Sequence, residues 1–308
     1  MRNTFVETLT AMAREDEKVV CVIGDTGFSV FEPFEKEFGA RFVNVGIAEQ
    51  NFVSFGAGLS AMGMKPYLYN VVSFMTLRAM EQIVLDVSYQ ENPVVLVGVG
   101  GGHAYETAGP THHAYFDIAM MRMLPNMTVI CPADPIEMRA VILASKDYGK
   151  PLYIRIGRSV DPVVHEKEIS FSIGKGLLMC SGTDGALLAT GVMVKDALKA
   201  RKILQAEGVH IAVYSVPTIK PLDEVLVRQL AETQPAIFTL EEGTVQGGLG
   251  SAVLETLFYH AGKRPKFHAF GFSDQFAPFA GTRDYLNAYY GADPASVAVM
   301  VKRVLENV

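Results

Sequence analysis

Short apolar runs alternate along this chain with stretches whose apolar residues recur at helical spacing. Phe5, Val6, Leu9 and Met12 predict a first helix. Val19 to Ile23, closed by Gly24, predicts a strand, and Phe42 to Val45 another. Ala48 to Met62 is apolar and rich in small residues, which suits a closely packed helix. Next come strand Pro66 to Val72, helix Met75 to Tyr89 and strand Pro93 to Val99. A glycine-rich loop, Gly100 to Thr111, leads to helix Ala114 to Met123 and strand Met127 to Cys131. Asp134-Pro135-Ile136-Glu137 opens a helix: Asp134 caps, Pro135 suits the first position and Glu137 completes a capping box. Tyr153 to Ile156 is the last strand of this half.

Charges and Pro162 break the pattern from Ser159 to Ser172 and place a linker at 161–174. A second alternation follows. It runs through strand Ala186 to Thr190, helix Met193 to Glu207, strand His210 to Tyr214 and helix Asp223 to Glu232. Strand Ala236 to Leu240, helix Gly248 to Tyr259, strand Lys266 to Phe270 and two closing helices complete it. Alternating strands and helices imply mostly parallel sheets covered on both faces. The expected fold class is α/β, with two consecutive three-layer α/β/α domains at 1–160 and 175–308.

Composition narrows the function classes. The 308 residues carry a net charge of -6, with 49% hydrophobic and 19% charged residues, as in proteins with sizeable cores. Mild acidity gives no reason to expect nucleic acid or a membrane surface as partner. No apolar run reaches the roughly 18 residues that span a bilayer. The first residues lack the apolar core of a signal peptide. Cys21, Cys131 and Cys180 are far apart among apolar neighbours, so they read as reduced, buried thiols of a cytoplasmic protein. No spacing suggests a structural zinc site.

The strongest local signal is Asn44-Val45-Gly46-Ile47-Ala48-Glu49-Gln50-Asn51, a strand ending in glycine and a carboxylate opening an apolar helix. From spacing alone, a first-turn Glu favoured by the helix dipole is the better explanation of that pattern. The wider order of motifs decides. The segment GIAEQN resembles the pyrimidine-binding domain of transketolases and deoxyxylulose-phosphate synthases. The likeness continues through Ser73-Phe74, Arg78-Ala79, Gln82-Ile83 and Ala108-Gly109-Pro110-Thr111-His112 to Ile154-Arg155-Ile156-Gly157-Arg158. Glu241-Glu242-Gly243 and Gly247-Gly248-Leu249-Gly250 resemble the carboxy-terminal domain of the same family.

The resemblance implies thiamine diphosphate as cofactor. Glu49 would hydrogen-bond a ring nitrogen of its aminopyrimidine, a role needing a carboxyl kept protonated by burial among Ile47, Ala48, Phe52 and Val53. Phe74 would stack on the pyrimidine, with Asp25, Ile47 and Arg78 also beside the cofactor. His112 would face the thiazolium and the substrate. Arg158 would hold an anionic end of the substrate, with Arg155 as alternative or as a domain-interface residue. Arg2 could also reach an anion. His103 and His113 read as solvent-exposed loop histidines.

The chain departs from the family where donor hydroxyls and phosphate are read. Ala108 stands where transketolases carry Asp, and Gly100 aligns with a phosphate-binding His. An unusual donor is expected: a deoxy or modified sugar, or a 2-keto acid. The family's Gly-Asp-Gly metal and diphosphate motif is also missing, because Gly24-Asp25-Thr26-Gly27 carries Thr at its third position. Magnesium or calcium and the diphosphate would therefore be held by a second polypeptide. The expected assembly pairs two copies of each chain, with self-association of this one. Two-carbon ketol transfer is the leading expectation. Decarboxylative condensation of pyruvate with an aldehyde, the beta subunit of a 2-oxoacid dehydrogenase, and a non-catalytic scaffold are the alternatives.

Overall fold

The structure, a computed structural model, describes residues 1–158 and 163–306. The end of the expected first domain and the start of the expected linker, residues 159–162, lie outside them.

The first half builds β1 (Val19–Ile23), β2 (Phe42–Asn44), β3 (Lys65–Val71), β4 (Val95–Val99), β5 (Thr128–Ile130) and β6 (Leu152–Ile156). All pair in parallel. Their order, β5-β6-β4-β3-β1-β2, reverses direction between β1 and β3. Helices α1 (Arg2–Glu15) and α7 (Pro135–Ser145) cover one face, meeting Cys21, Tyr67, Tyr69 and Val97. Helices α3 (Glu49–Ala61), α4 (Val72–Arg78) and α6 (Asp117–Met123) cover the other, meeting Val20, Val22, Leu68 and Leu96. Burial on both faces is why these strands read as unbroken apolar runs. Within α3, Gly56 allows close approach to the sheet: a Cβ there would lie 2.6 Å from Leu68 Cδ1.

Asp134 Oδ1 caps α7 by accepting from Glu137 N, as expected. The return bond differs: Glu137 Oε2 accepts from Ala133 N. Asp134 Oδ2 accepts from Val164 N and His165 N, so the linker is pinned to this cap.

The second half holds β7 (Leu177–Cys180), β8 (Ala186–Ala189), β9 (Ala212–Ser215), β11 (Ala236–Thr244) and β12 (Lys266–Phe272), in the order β12-β11-β8-β9-β7. Helices α8 (Met193–Ala206) and α12 (Pro294–Glu306) cover one face. Helices α9 (Glu224–Thr233) and α10 (Leu249–Tyr259) cover the other. Between β9 and α9, β10 (Thr218–Lys220) leaves this sheet and adds an antiparallel edge strand to the first. The two halves thus share a sheet. No helix among the described residues is long and apolar enough to cross a membrane.

Several expectations are corrected. The helix expected at Met75 to Tyr89 begins earlier and breaks at Ala79 (φ -111°, ψ 23°) into α4, α5 (Met80–Gln82) and a π-helical turn, Ile83–Tyr89. The helix expected from Ala114 starts at Asp117, because Ala114 N bonds Gly102 O and Tyr115 O accepts from Thr244 N. Strand β11 runs on past Leu240 through two buried glutamates, whose charge masked it. Helix α2 (Glu32–Phe38) leaves no helical apolar pattern in the sequence because it buries Phe34 alone. Cys21 and Cys131 are buried, but Cys180 lies on an edge strand and is only half-buried.

Candidate active site at the carboxyl ends of the first sheet

The expected site residues follow strand carboxyl ends. Asp25 comes after β1, Glu49 after β2, Phe74 after β3, His112 after β4 and Arg158 after β6. In open α/β sheets that edge, at the reversal of strand order, is where ligands bind.

Glu49 is the first residue of α3 and only 7% exposed. Gly46, at φ 75°, makes the turn that aims it there. Phe52 and Val53 are fully buried beneath it. Ile47 does not cover it within this chain: its side chain is 76% exposed, because the turn before α3 points it outward. Glu49 Oε1 accepts from Arg78 Nη1 at 2.7 Å. The Arg78 guanidinium carbon lies 4.3 Å from the Phe74 ring centroid. One planar cation therefore stacks on an aromatic face and hydrogen-bonds a shielded carboxylate at once. A flat nitrogen heterocycle makes the same two demands, so these residues fit the aminopyrimidine end of thiamine diphosphate.

Asp25 adopts φ 54°. Its N–H donates to Asn44 Oδ1 at 3.1 Å, and Asn44 Nδ2 donates to Asp25 Oδ1 at 3.2 Å. Asn44 Oδ1 also accepts from Gly46 N. Asn44 thus ties the loops after β1 and β2 together, a part that spacing did not reveal.

His112 is half-buried, its ring edge-on to Phe74 at 5.1 Å. Nδ1 lies 2.9 Å from Thr111 Oγ1, which directs Nε2 away from that contact. Ser73 Oγ donates to Thr111 O and ties this loop to α4. Arg158 is exposed, with its guanidinium 4.7 Å from the Tyr105 ring.

Arg155 stands apart. It is buried, its Nε lies 3.3 Å from Asp117 Oδ2, and Nη2 donates to Glu242 O and Ala114 O. A guanidinium so occupied is not placed to hold a substrate anion; Arg155 joins the two halves. Burial pushes the Asp117 carboxyl up, while Arg155 and the Tyr153 hydroxyl oppose that.

His103 and His113 are not exposed either. His103 is fully buried, with Nδ1 2.9 Å from Asn287 Oδ1 and its ring stacked 4.1 Å from Phe272. Burial lowers its pKa to about 4. His113 Nε2 lies 2.7 Å from Glu106 O. His103 anchors the glycine-rich loop to the second half, where Glu242 pairs with Arg283 of α11 (Arg283–Tyr289), whereas His113 braces the loop internally. No group of three or more His, Cys, Asp or Glu that could hold a metal occurs among the described residues.

Fold and geometry together define a doubly wound α/β chain with Glu49, Arg78 and Phe74 clustered near a sheet's switch point. Residues 1–161 match the transketolase pyrimidine-binding domain, and residues 174–297 match the transketolase C-terminal domain. The chain belongs to the transketolase family. It is 38% identical over 258 residues to one subunit of the apulose-4-phosphate transketolase of Phocaeicola vulgatus, covering 83% of each chain. It is 37% identical to 1-deoxy-D-xylulose-5-phosphate synthase of Syntrophotalea carbinolica, over 98% of this chain but 48% of that one. A solved split-gene transketolase, an inactive beta4 tetramer, superposes with TM-score 0.91 at 35% identity over 99% of this chain and 97% of that one.

Proposed function

We propose that this chain is the carboxy-terminal subunit of a split transketolase. It would transfer a two-carbon ketol unit from an anionic ketose to an aldehyde, with thiamine diphosphate bound between it and a diphosphate-binding partner. The carrying observation is the convergence of Glu49, Arg78 and Phe74. The chain spans most of the apulose-4-phosphate relative but about half of the synthase, as expected if a partner supplies the rest. That partner would carry the diphosphate and its magnesium or calcium. An assembly of two chains of each kind agrees with the apolar Phe28, Ile47, Met62 and Tyr89, each more than 70% exposed here. The division into domains at 1–160 and 175–308 agrees with the two sheets, although β10 crosses it.

Bound thiamine diphosphate would supply a nucleophilic carbon and an electron sink. Glu49 would hold a proton at the aminopyrimidine nitrogen, shielded from water by α3. Phe74 would support the ring from one face, with Asp25, Ile47 and Arg78 at its edges. His112 Nε2 would face the substrate carbonyl or hydroxyl. Arg158 would hold the anionic end.

The test is reconstitution. The chain is co-expressed with the neighbouring gene's product, loaded with thiamine diphosphate and magnesium, and offered ketose phosphates plus an aldehyde. Two-carbon transfer by the pair, with none by either chain alone, is the expected result. Carbon dioxide release from pyruvate would instead support the synthase reading, which the 37% identity to that enzyme keeps in view.

A further inference from the structure

Gly100 and Tyr105 of the glycine-rich loop compete for one space. Gly100 has φ 89°, and a Cβ placed on it would lie 2.0 Å from Tyr105 Cε2. A side chain at position 100 would require this ring to move. The ring also links two residues of the site: the Arg158 guanidinium lies 4.7 Å from its centroid, and the His112 ring lies 5.4 Å away. Burial pushes the phenol's pKa up, and the guanidinium groups of Arg158 and Arg2 oppose that. Both cations thus act electrostatically on the phenol.

The geometry points to Tyr105 as the residue that sets the length and hydroxylation of the substrate chain between the reacting carbonyl and its terminal tetrahedral anion. The inference rests on the reading of the site given above, with His112 at the reacting end and Arg158 at the anionic end. A substrate spanning those two residues must pass the ring that touches both. Tyr105 has few rotatable bonds, so the wall it forms is stiff. Ala108 and Gly100 bring no side-chain donor or acceptor to this stretch. Mid-chain hydroxyls passing the ring would meet an apolar face whose polar group is the phenol. A short, sparsely hydroxylated ketose with a phosphate or sulfonate end meets the wall best. A longer, fully hydroxylated one is held back by the ring's volume and by its own unpaired hydroxyls.

The test reads binding rather than turnover. The full chain, assembled with its diphosphate-binding partner, is titrated by calorimetry with xylulose 5-phosphate, fructose 6-phosphate and 6-deoxy-6-sulfofructose. Tyr105→Ala should shift the ratio of six-carbon to five-carbon dissociation constants toward the longer ketoses by about tenfold or more. Tyr105→Phe, which keeps the ring, should leave that ratio within about twofold of wild type. The phosphate and sulfonate six-carbon ligands should move together, since the ring limits length and not the anion. Tyr105→Leu carries the test if the alanine variant does not fold. An unchanged ratio in the truncated variants overturns the assignment, as does failure of the wild type to bind any of the three. Binding without two-carbon transfer would defeat the proposed reaction and leave the role of Tyr105 standing.

Discussion

Arg78 Nη1 donates to Glu49 Oε1 at 2.7 Å while its guanidinium lies over the Phe74 ring. The chain thus brings together, with its own side chain, the carboxylate and the aromatic face that a pyrimidine would use. Glu49→Gln separates the two parts of this arrangement. Glutamine's carbonyl can still accept from Arg78, so the melting temperature should stay within a few degrees. It cannot share a proton with a ring nitrogen as a carboxyl does, so turnover of the reconstituted pair should fall by about 100-fold or more. A variant that keeps wild-type turnover would remove Glu49 from the mechanism.

Phe74 tests the other half. Phe74→Leu keeps apolar cover but loses the flat face. An offset-stacked aromatic is worth about 0.5–1.5 kcal/mol beyond buried area. The cofactor's dissociation constant should therefore rise by roughly twofold to tenfold, by calorimetry on the assembled protein. Turnover at saturating cofactor should change less. The reverse pattern, with normal affinity and lost turnover, would mean that Phe74 acts through its edge contact with His112 instead.

What was legible in the sequence follows from what each feature depends on. The strands of the first sheet were readable because burial on both faces demands unbroken apolar runs, as in Val19 to Ile23. Asp134 was readable because a cap is a local bond. The resemblance marked Glu49, Phe74 and Arg78 as neighbours of one ligand, but their mutual geometry depends on how α3 and α4 meet over the sheet. Ile47 misled because an apolar residue beside Glu49 reads as shielding, whereas the turn exposes it. Arg155 was ambiguous because its partners, Asp117 and the Glu242 carbonyl, are distant in sequence. Strand β10 was hidden because its three residues satisfy the first half's sheet.

His103 should make the junction of the two halves sensitive to acid. Its folded pKa is about 4, against an ordinary value of 6.5, because burial disfavours the imidazolium. Below pH 6.5 the unfolded chain binds a proton that the folded one resists, so stability is present at neutral pH and is lost as pH falls toward 4. Between pH 7 and 5 the loss from this group should be about 2 kcal/mol. His103→Gln, which retains a polar contact for Asn287 without titrating, should flatten the fall in melting temperature over that range. Equal slopes for variant and wild type would assign the acid sensitivity to other groups.

Arg155 and Asp117 carry the last prediction, because they connect the core of the first sheet to the second. Both are buried, and Arg155 Nη2 also donates to the Glu242 carbonyl on β11. Arg155→Met would fill the volume but strand the Asp117 carboxylate, whose Oδ1 already lacks a hydrogen-bond partner among the described residues. Removing one member of such a pair typically costs about 3–5 kcal/mol, and urea denaturation should show a loss of that size. Adding Asp117→Asn removes the stranded charge, so the double variant should be more stable than Arg155→Met alone. An anion-binding role for Arg155 predicts otherwise: near-normal stability with weakened substrate binding. The decisive comparison is stability against substrate affinity in the same variant. Buried contacts to β11 and to the chain before α6 require that stability fall first, and any loss of affinity should then follow from displacement of the glycine-rich loop that carries His112.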